Sequence, residues 1–308
     1  MTLRNPVVIA HRGASGYWPE HTETAYRQAI KMGADHIEPD LVFTKDGHLI
    51  CRHDRYLGTT TNVADFPEFE DRKRIKPGLV EAQWYAEDFT LEELKALRCR
   101  QLWPTRTAEH NDQDKILTFE DLLVLIKQVA QVEGRTIGVC PEVKHAPDLL
   151  ELGHDFLPLA LDQMAEHGFG APELPAQFQS FDHKTLQRAR EMTDIPLVQL
   201  IRNEDFSFQT LKPSSVAEEA EPFADVIAPH KSLIIDQKGQ DTGLLDRCRA
   251  MGKEVHVWAF VDEMVNPHFA SMEDEIRAHL DLGIDGLFCD FPDRAVKLRN
   301  EFLEGTNS

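Results

Sequence analysis

Short apolar runs of strand character, several nearly continuous in Val, Ile, Leu and Phe, recur along the chain at 7–10, 36–43, 135–140, 175–180, 197–201, 225–228, 254–260 and 285–289. Runs of this kind predict strands buried on both faces, as in a parallel sheet covered by helices. Between them the apolar positions switch to helical spacing, over 22–32, 119–132, 149–167, 184–192, 243–251, 273–282 and 294–302. Thr118 and Asp182 stand where N-caps belong, and Gly33, Gly168, Gly252 and Gly283 stand just past predicted helix ends. Eight strands alternating with helices point to an α/β fold in which the sheet closes into a parallel barrel. An open doubly wound sheet alternates in the same way, so periodicity alone leaves both.

Two stretches break the alternation. Residues 54–114 are polar, with scattered aromatics and a single short helical segment, 90–97, that opens on a capping box. So long a piece without a strong core pattern reads as an insertion after the second strand region, near the functional face. A second stretch, 203–222, reads as a loop whose acids Glu218, Glu219 and Glu221 form a solvated face. The chain, 1–308, thus reads as one domain carrying the insertion 54–114 within it.

Charge narrows the partners. Of 308 residues, 53 are Asp or Glu and 33 are Lys or Arg, a formal net charge of −20. Such a chain repels phosphate backbones in bulk, so nucleic acid is not expected as a partner, and an anionic substrate needs a local cation. No apolar run approaches the ~20 residues that span a bilayer. No secretory signal is visible, and five cysteines without CxxC spacing suit a reducing cytoplasm rather than a disulfide framework. A trimmed N-terminus would leave the periplasm open.

Candidate chemistry gathers at the C-terminal ends of the predicted strands, where parallel α/β folds bind ligands. His11 and Arg12 close the first strand, where an imidazole can move a proton and a guanidinium can grip a phosphate. Glu38 and Asp40, two apart on the second strand, face one side together and offer oxygen ligands for Mg²⁺ or Ca²⁺. His36 shares that face and is read as structural. His53 ends a short strand just before the insertion. Glu142 and Lys144 share a face after the third barrel strand, while His145 lies off it as a bystander. Each cluster alone also fits a hydrogen-bonded loop or an ion-paired strand end. Together they supply a cation site, phosphate anchors and a proton donor and acceptor, the parts that cleave a phosphodiester.

The run IAHRGASGYWPEHTETAYRQAIKMGADHIEPDLVFTKDGHLICRHDRYL, at 9–57, closely resembles the glycerophosphodiester phosphodiesterase family, whose pattern is His-Arg, Glu-x-Asp and His-Asp. Pro141 to Lys144, Gln179 to Phe181, Val257 to Val261 and Gly286 to Asp293 resemble later strand ends of that family. The resemblance implies a TIM (β/α)8 barrel that hydrolyses glycerophosphodiesters, such as glycerophosphocholine or glycerophosphoethanolamine, to sn-glycerol 3-phosphate and an alcohol. It implies one divalent cation, Ca²⁺ or Mg²⁺, with Glu38, Asp40 and Glu142 as its ligands. His11 and His53 match the acid–base pair, Arg12 and Lys144 the phosphate contacts, and Trp258 an aromatic of the substrate pocket, a buried core Trp being its other reading. His21 stands where many relatives have Asn. The region 56–118 is similar to the long insertion of a branch whose bacterial members are often periplasmic. Both departures are expected to lie apart from the proposed site residues. A lysophospholipase D or sphingomyelinase D-like enzyme that forms a cyclic phosphate, and a non-catalytic binding barrel, are the alternatives. Head-group preference and oligomeric state stay open.

Overall fold

The structure is a computed structural model that describes residues 5–75, 81–203 and 213–306. Its strands in chain order are β1 (Val7–His11), β2 (His36–Glu38), β3 (Asp40–Phe43), β4 (Leu49–Cys51), β5 (Gly138–Val139), β6 (Glu142–Val143), β7 (Phe178–Ser180), β8 (Leu197–Ile201), β9 (Val226–Pro229), β10 (Glu254–Phe260) and β11 (Gly286–Cys289). Their order in the sheet is β4-β3-β6-β7-β8-β9-β10-β11-β1-β2-β5. β2 and β3 are halves of one barrel strand interrupted at Pro39, and β5 and β6 are halves of the next, interrupted at Cys140 and Pro141. Proline has no N–H for the ladder, so the pairing breaks there. The chain nonetheless runs on in register, because Cys140 and Glu142 donate to the carbonyls of Ile37 and Pro39 at 2.9 and 2.8 Å. Joining the halves closes the sheet into eight parallel strands, with β4 added antiparallel to β3. This is a TIM barrel, and the open-sheet alternative falls away.

Helices cover the outside: α1 (Glu23–Lys31), α2 (Leu91–Ala96), α3 (Phe119–Glu133), α4 (Ala146–Glu151), α5 (Phe156–Glu166), α6 (His183–Met192), α7 (Pro213–Ala220), α8 (Leu244–Ala250), α9 (Met272–Leu282) and α10 (Pro292–Thr306). The caps read from sequence are in place. Thr118 accepts from Asp121 N at 3.0 Å, and Asp182 accepts from Thr185 N at 2.8 Å. Inside the barrel, Ile9, Cys140, Val198, Val226 and Phe288 fill the bore. The outward strand faces pack with the helices in a second, larger core. None of the described helices is long and apolar enough to cross a membrane.

Three expectations need correction. The single helix expected over 149–167 is two, α4 and α5, because Gly153 turns left-handed at φ 87° and Asp155 caps a new start. The stretch 203–222 is not all loop: α7 occupies part of it, 204–212 lies outside the described residues, and Glu218, Glu219 and Glu221 are exposed. The insertion carries a core of its own, in which Leu57, Trp84, Phe89 and Leu94 pack on Val42 and Ile50 of β3 and β4. Its apolar residues are spaced irregularly over bends, isolated bridges, 3₁₀ turns and one short helix, so no period announced them. The helix with a capping box expected there is α2, with Thr90 and Glu93 bonded reciprocally.

Candidate active site

Strand register brings the polar residues together before any side chain is considered. His11 pairs across from Glu38, Asp40 from Glu142, and Glu142 from Gln179. All stand at the C-terminal mouth of the barrel, above the apolar bore. Just past β1 the chain turns sharply: Arg12 and Gly13 both take positive φ, 60° and 84°. Gly13 has no substitute here, since a Cβ would sit 2.8 Å from the backbone carbon of Ala25 in α1. The turn points the Arg12 N–H at the Glu38 carboxylate, 2.9 Å away.

Glu38, Asp40 and Glu142 are buried, and each offers a carboxylate oxygen within 4.8 Å of the other two. Their surroundings differ. Asp40 is contacted by Arg12 Nε at 3.2 Å, His21 Nε2 at 3.0 Å and Lys144 Nζ at 3.1 Å. Burial alone would raise its pKa, but Lys144, Arg12 and the His21 hydrogen bond hold it well below the usual carboxylate range. Glu38 is pushed well above that range by burial and by the charges of Asp40 and Glu142. Glu142 is pushed up to about 7, chiefly by burial, with Lys144 at 2.7 Å opposing. Among the described residues its Oε1 accepts no hydrogen bond although it is buried. Hard oxygen donors at this spacing, with excess negative charge and an unfilled acceptor, fit a divalent cation such as Mg²⁺ or Ca²⁺.

A pocket of about 370 Å³ opens beside the triad. Of the eight residues singled out from sequence, His11, Arg12, Glu38, His53, Glu142, Lys144 and Trp258 line it, and Asp40 lies buried just behind. His53 Nδ1 is 2.8 Å from Asp54 Oδ1. Burial and the nearby Arg12 and Lys144 charges lower its pKa to about 4. Trp258 donates its indole N–H to the Ala228 carbonyl at 2.8 Å and meets Phe181 edge-on at 5.5 Å, so it is a fixed wall of the pocket. His36 lies deep in the barrel, its ring filling the space beside Gly138, in keeping with a structural part. His145, expected off the site, stands at the pocket rim instead.

Several contacts were not anticipated from sequence. Asp290 Oδ1 lies 2.6 Å from His11 Nδ1. Gln179 donates to Glu38 at 3.1 Å, and Glu20 accepts from Arg12 at 2.9 Å. His21, expected apart from the site, bonds Asp40 directly and is braced by the Tyr26 hydroxyl at 2.7 Å. Its position depends on a left-handed turn at φ 59° that residue type alone does not announce. Asp290 and Gln179 sit at strand C-termini, and that placement was the signal available for them.

A model of the glycerophosphoryl diester phosphodiesterase family matches residues 11–294. The chain belongs to that family and is an enzyme of the phosphodiesterase class. It is 30% identical to a glycerophosphodiester phosphodiesterase of Arabidopsis thaliana, over 93% of this chain and 84% of that protein. It is 28% identical to one of Haemophilus influenzae, over 97% of this chain and 90% of that protein. Among solved structures it resembles an Oleispira antarctica phosphodiesterase in complex with the product sn-glycerol 3-phosphate, with TM-score 0.68, 21% identity and 96% and 97% of the two chains covered. A glycerophosphodiester phosphodiesterase of Agrobacterium tumefaciens shares the fold with TM-score 0.63 at 17% identity, over 95% and 99% of the chains.

Proposed function

We propose that this chain hydrolyses small glycerophosphodiesters to sn-glycerol 3-phosphate and an alcohol, with one divalent cation and a histidine pair. The observation that carries the reading is the buried triad of Glu38, Asp40 and Glu142 in the wall of a pocket that also holds His11 and His53. A divalent cation on those carboxylates would neutralise phosphate charge and polarise the phosphorus toward attack. Arg12 and Lys144 bind the remaining phosphate oxygens, giving an otherwise acidic chain its local positive site. Glu20 and Asp40 hold the Arg12 guanidinium so that it meets the phosphate already oriented.

The two histidines divide the proton work. His53, neutral above about pH 4, accepts the proton of the attacking hydroxyl through Nε2 while Asp54 holds Nδ1. His11, its Nδ1 proton held by Asp290, gives a proton from Nε2 to the departing alcohol oxygen. Trp258 and Phe181 form an apolar wall on which a carbon skeleton rests. The attacking hydroxyl belongs to water or to the glycerol itself, the second route passing through a cyclic phosphate.

The test follows products by phosphorus NMR, using purified protein with Mg²⁺ or Ca²⁺ and either glycerophosphocholine or lysophosphatidylcholine. Accumulation of sn-glycerol 3-phosphate from the soluble diester supports the reading. Turnover of the lysophospholipid alone, ending at a stable cyclic phosphate, would replace it with the lipid-cleaving alternative.

A further inference from the structure

We propose that Arg106, contributed by the insertion, is a positioning residue for His11 and acts through Asp290. This rests on the reading of His11 as a proton-transfer residue. Arg106 lies in a polar stretch, yet its side chain is only 4% exposed. It reaches three partners in different parts of the barrel mouth. Nη2 lies 2.7 Å from Asp290 Oδ2, just past the end of β11. Nε and Nη2 grip the two oxygens of Glu263, beyond β10, at 2.9 and 2.7 Å. Nη1 donates to the Ser15 carbonyl at 2.8 Å.

The contact with Asp290 is the one that bears on chemistry. One oxygen of that carboxylate faces His11 Nδ1, and the other faces Arg106. A carboxylate held at both oxygens cannot swing about its bond to Cβ, so the imidazole it holds is fixed in direction. The insertion also grips the turn that follows His11. Ser15 donates its hydroxyl to the His11 carbonyl at 2.8 Å, while its own carbonyl accepts from Arg106 and from Gln101 Nε2 at 3.1 Å. His11 is therefore steadied from its ring and from its backbone by one insertion segment. A guanidinium suits the task because its planar fork can serve two carboxylates at once, which an ammonium does less well.

Arg106 also offsets two nearby carboxylates, so a purely structural role is the competing explanation. Coupling separates the two. In cation-saturated enzyme, Arg106→Met should lower kcat on glycerophosphocholine about tenfold or more, with KM little changed. Arg106→Lys should fall between the variant and the wild type. The deciding comparison adds Arg106→Met to Asp290→Asn. If Arg106 works through Asp290, the double variant loses no more than Asp290→Asn alone. Full addition of the two losses, or an unchanged kcat in Arg106→Met, would overturn the proposal. Should Arg106→Met fail to fold by circular dichroism, Arg106→Lys carries the same cycle. Wild-type rates in His11→Ala and Asp290→Asn would overturn the underlying reading of His11 as well. Loss in those two with none in Arg106→Met would remove Arg106 alone.

Discussion

Asp290 Oδ1 stands 2.6 Å from Nδ1 of His11, so a carboxylate at the end of the last barrel strand is bonded to a histidine at the end of the first. The two residues are 279 apart in sequence and adjacent only because β1 and β11 pair to close the barrel. Although burial would raise its pKa, Asp290 is brought down to about 2 by His11 and Arg106, so it is ionised at neutral pH.

Asp290→Asn tests that pair. The amide keeps the shape but offers a neutral group to Nδ1 and can hold the wrong tautomer. We expect kcat to fall by about 10²-fold or more in a protein that keeps its fold by circular dichroism, with some loss of stability from the broken Arg106 contact. Steady-state kinetics at saturating cation checks this, and a kcat close to wild type would dismiss Asp290 as an orienting group.

The acid and base roles are separable by leaving group. His11→Ala and His53→Ala should each cost about 10²–10⁴-fold on a choline or ethanolamine diester. A p-nitrophenyl leaving group departs without protonation, so the His11→Ala loss should shrink on that substrate while the His53→Ala loss persists. The opposite pattern would exchange the two roles.

Cation binding should depend on pH with a predictable sign. Glu142, at about 7 against an ordinary 4.5, is largely protonated below neutrality in the cation-free protein. A cation must then displace a proton, and the raised Glu38 adds to the effect, so affinity should fall by about tenfold or more per pH unit below ~7. Stability follows the same linkage. The folded-state pKa is raised, so the contribution is present below the ordinary carboxylate range and is lost as pH rises through about 7. Added Mg²⁺ or Ca²⁺ should therefore raise Tm more at pH 8 than at pH 5. Calorimetric titration and melting curves at the two pH values check both statements, and a larger rise at pH 5 would contradict them.

His21→Ala probes the brace behind Asp40. Removing the Nε2 contact frees one side of the carboxylate and takes one partner from the Tyr26 hydroxyl. Cation affinity should weaken by about 10–100-fold, while His21→Asn keeps part of it. Equal affinity in His21→Ala and wild type would limit His21 to packing.

Much of the molecule was legible in sequence because its signals are local. Runs buried on both faces announced the strands, and period-two spacing put Glu38 with Asp40 and Glu142 with Lys144 on shared faces. Caps such as Thr118 and Asp182 fixed helix starts to within a residue or two. What escaped depends on long-range closure or unusual backbone. Gln179 meets Glu38 across 141 residues, and Arg106 meets Asp290 across 184. His21 reaches Asp40 only through a left-handed turn. The insertion's core escaped because Trp84, Phe89 and Leu94 pack without a repeating period.

The most direct measurement strips the enzyme with EDTA, then follows sn-glycerol 3-phosphate release from glycerophosphocholine as Mg²⁺ or Ca²⁺ is returned, for wild type beside Asp40→Asn. The account predicts that stripped wild type is inactive and recovers with saturable cation dependence. It predicts that Asp40→Asn, missing the carboxylate charge shared by Arg12, His21 and Lys144, recovers little at the same concentrations. Full activity of the stripped enzyme, or equal recovery of the two proteins, would contradict a cation held by Glu38, Asp40 and Glu142.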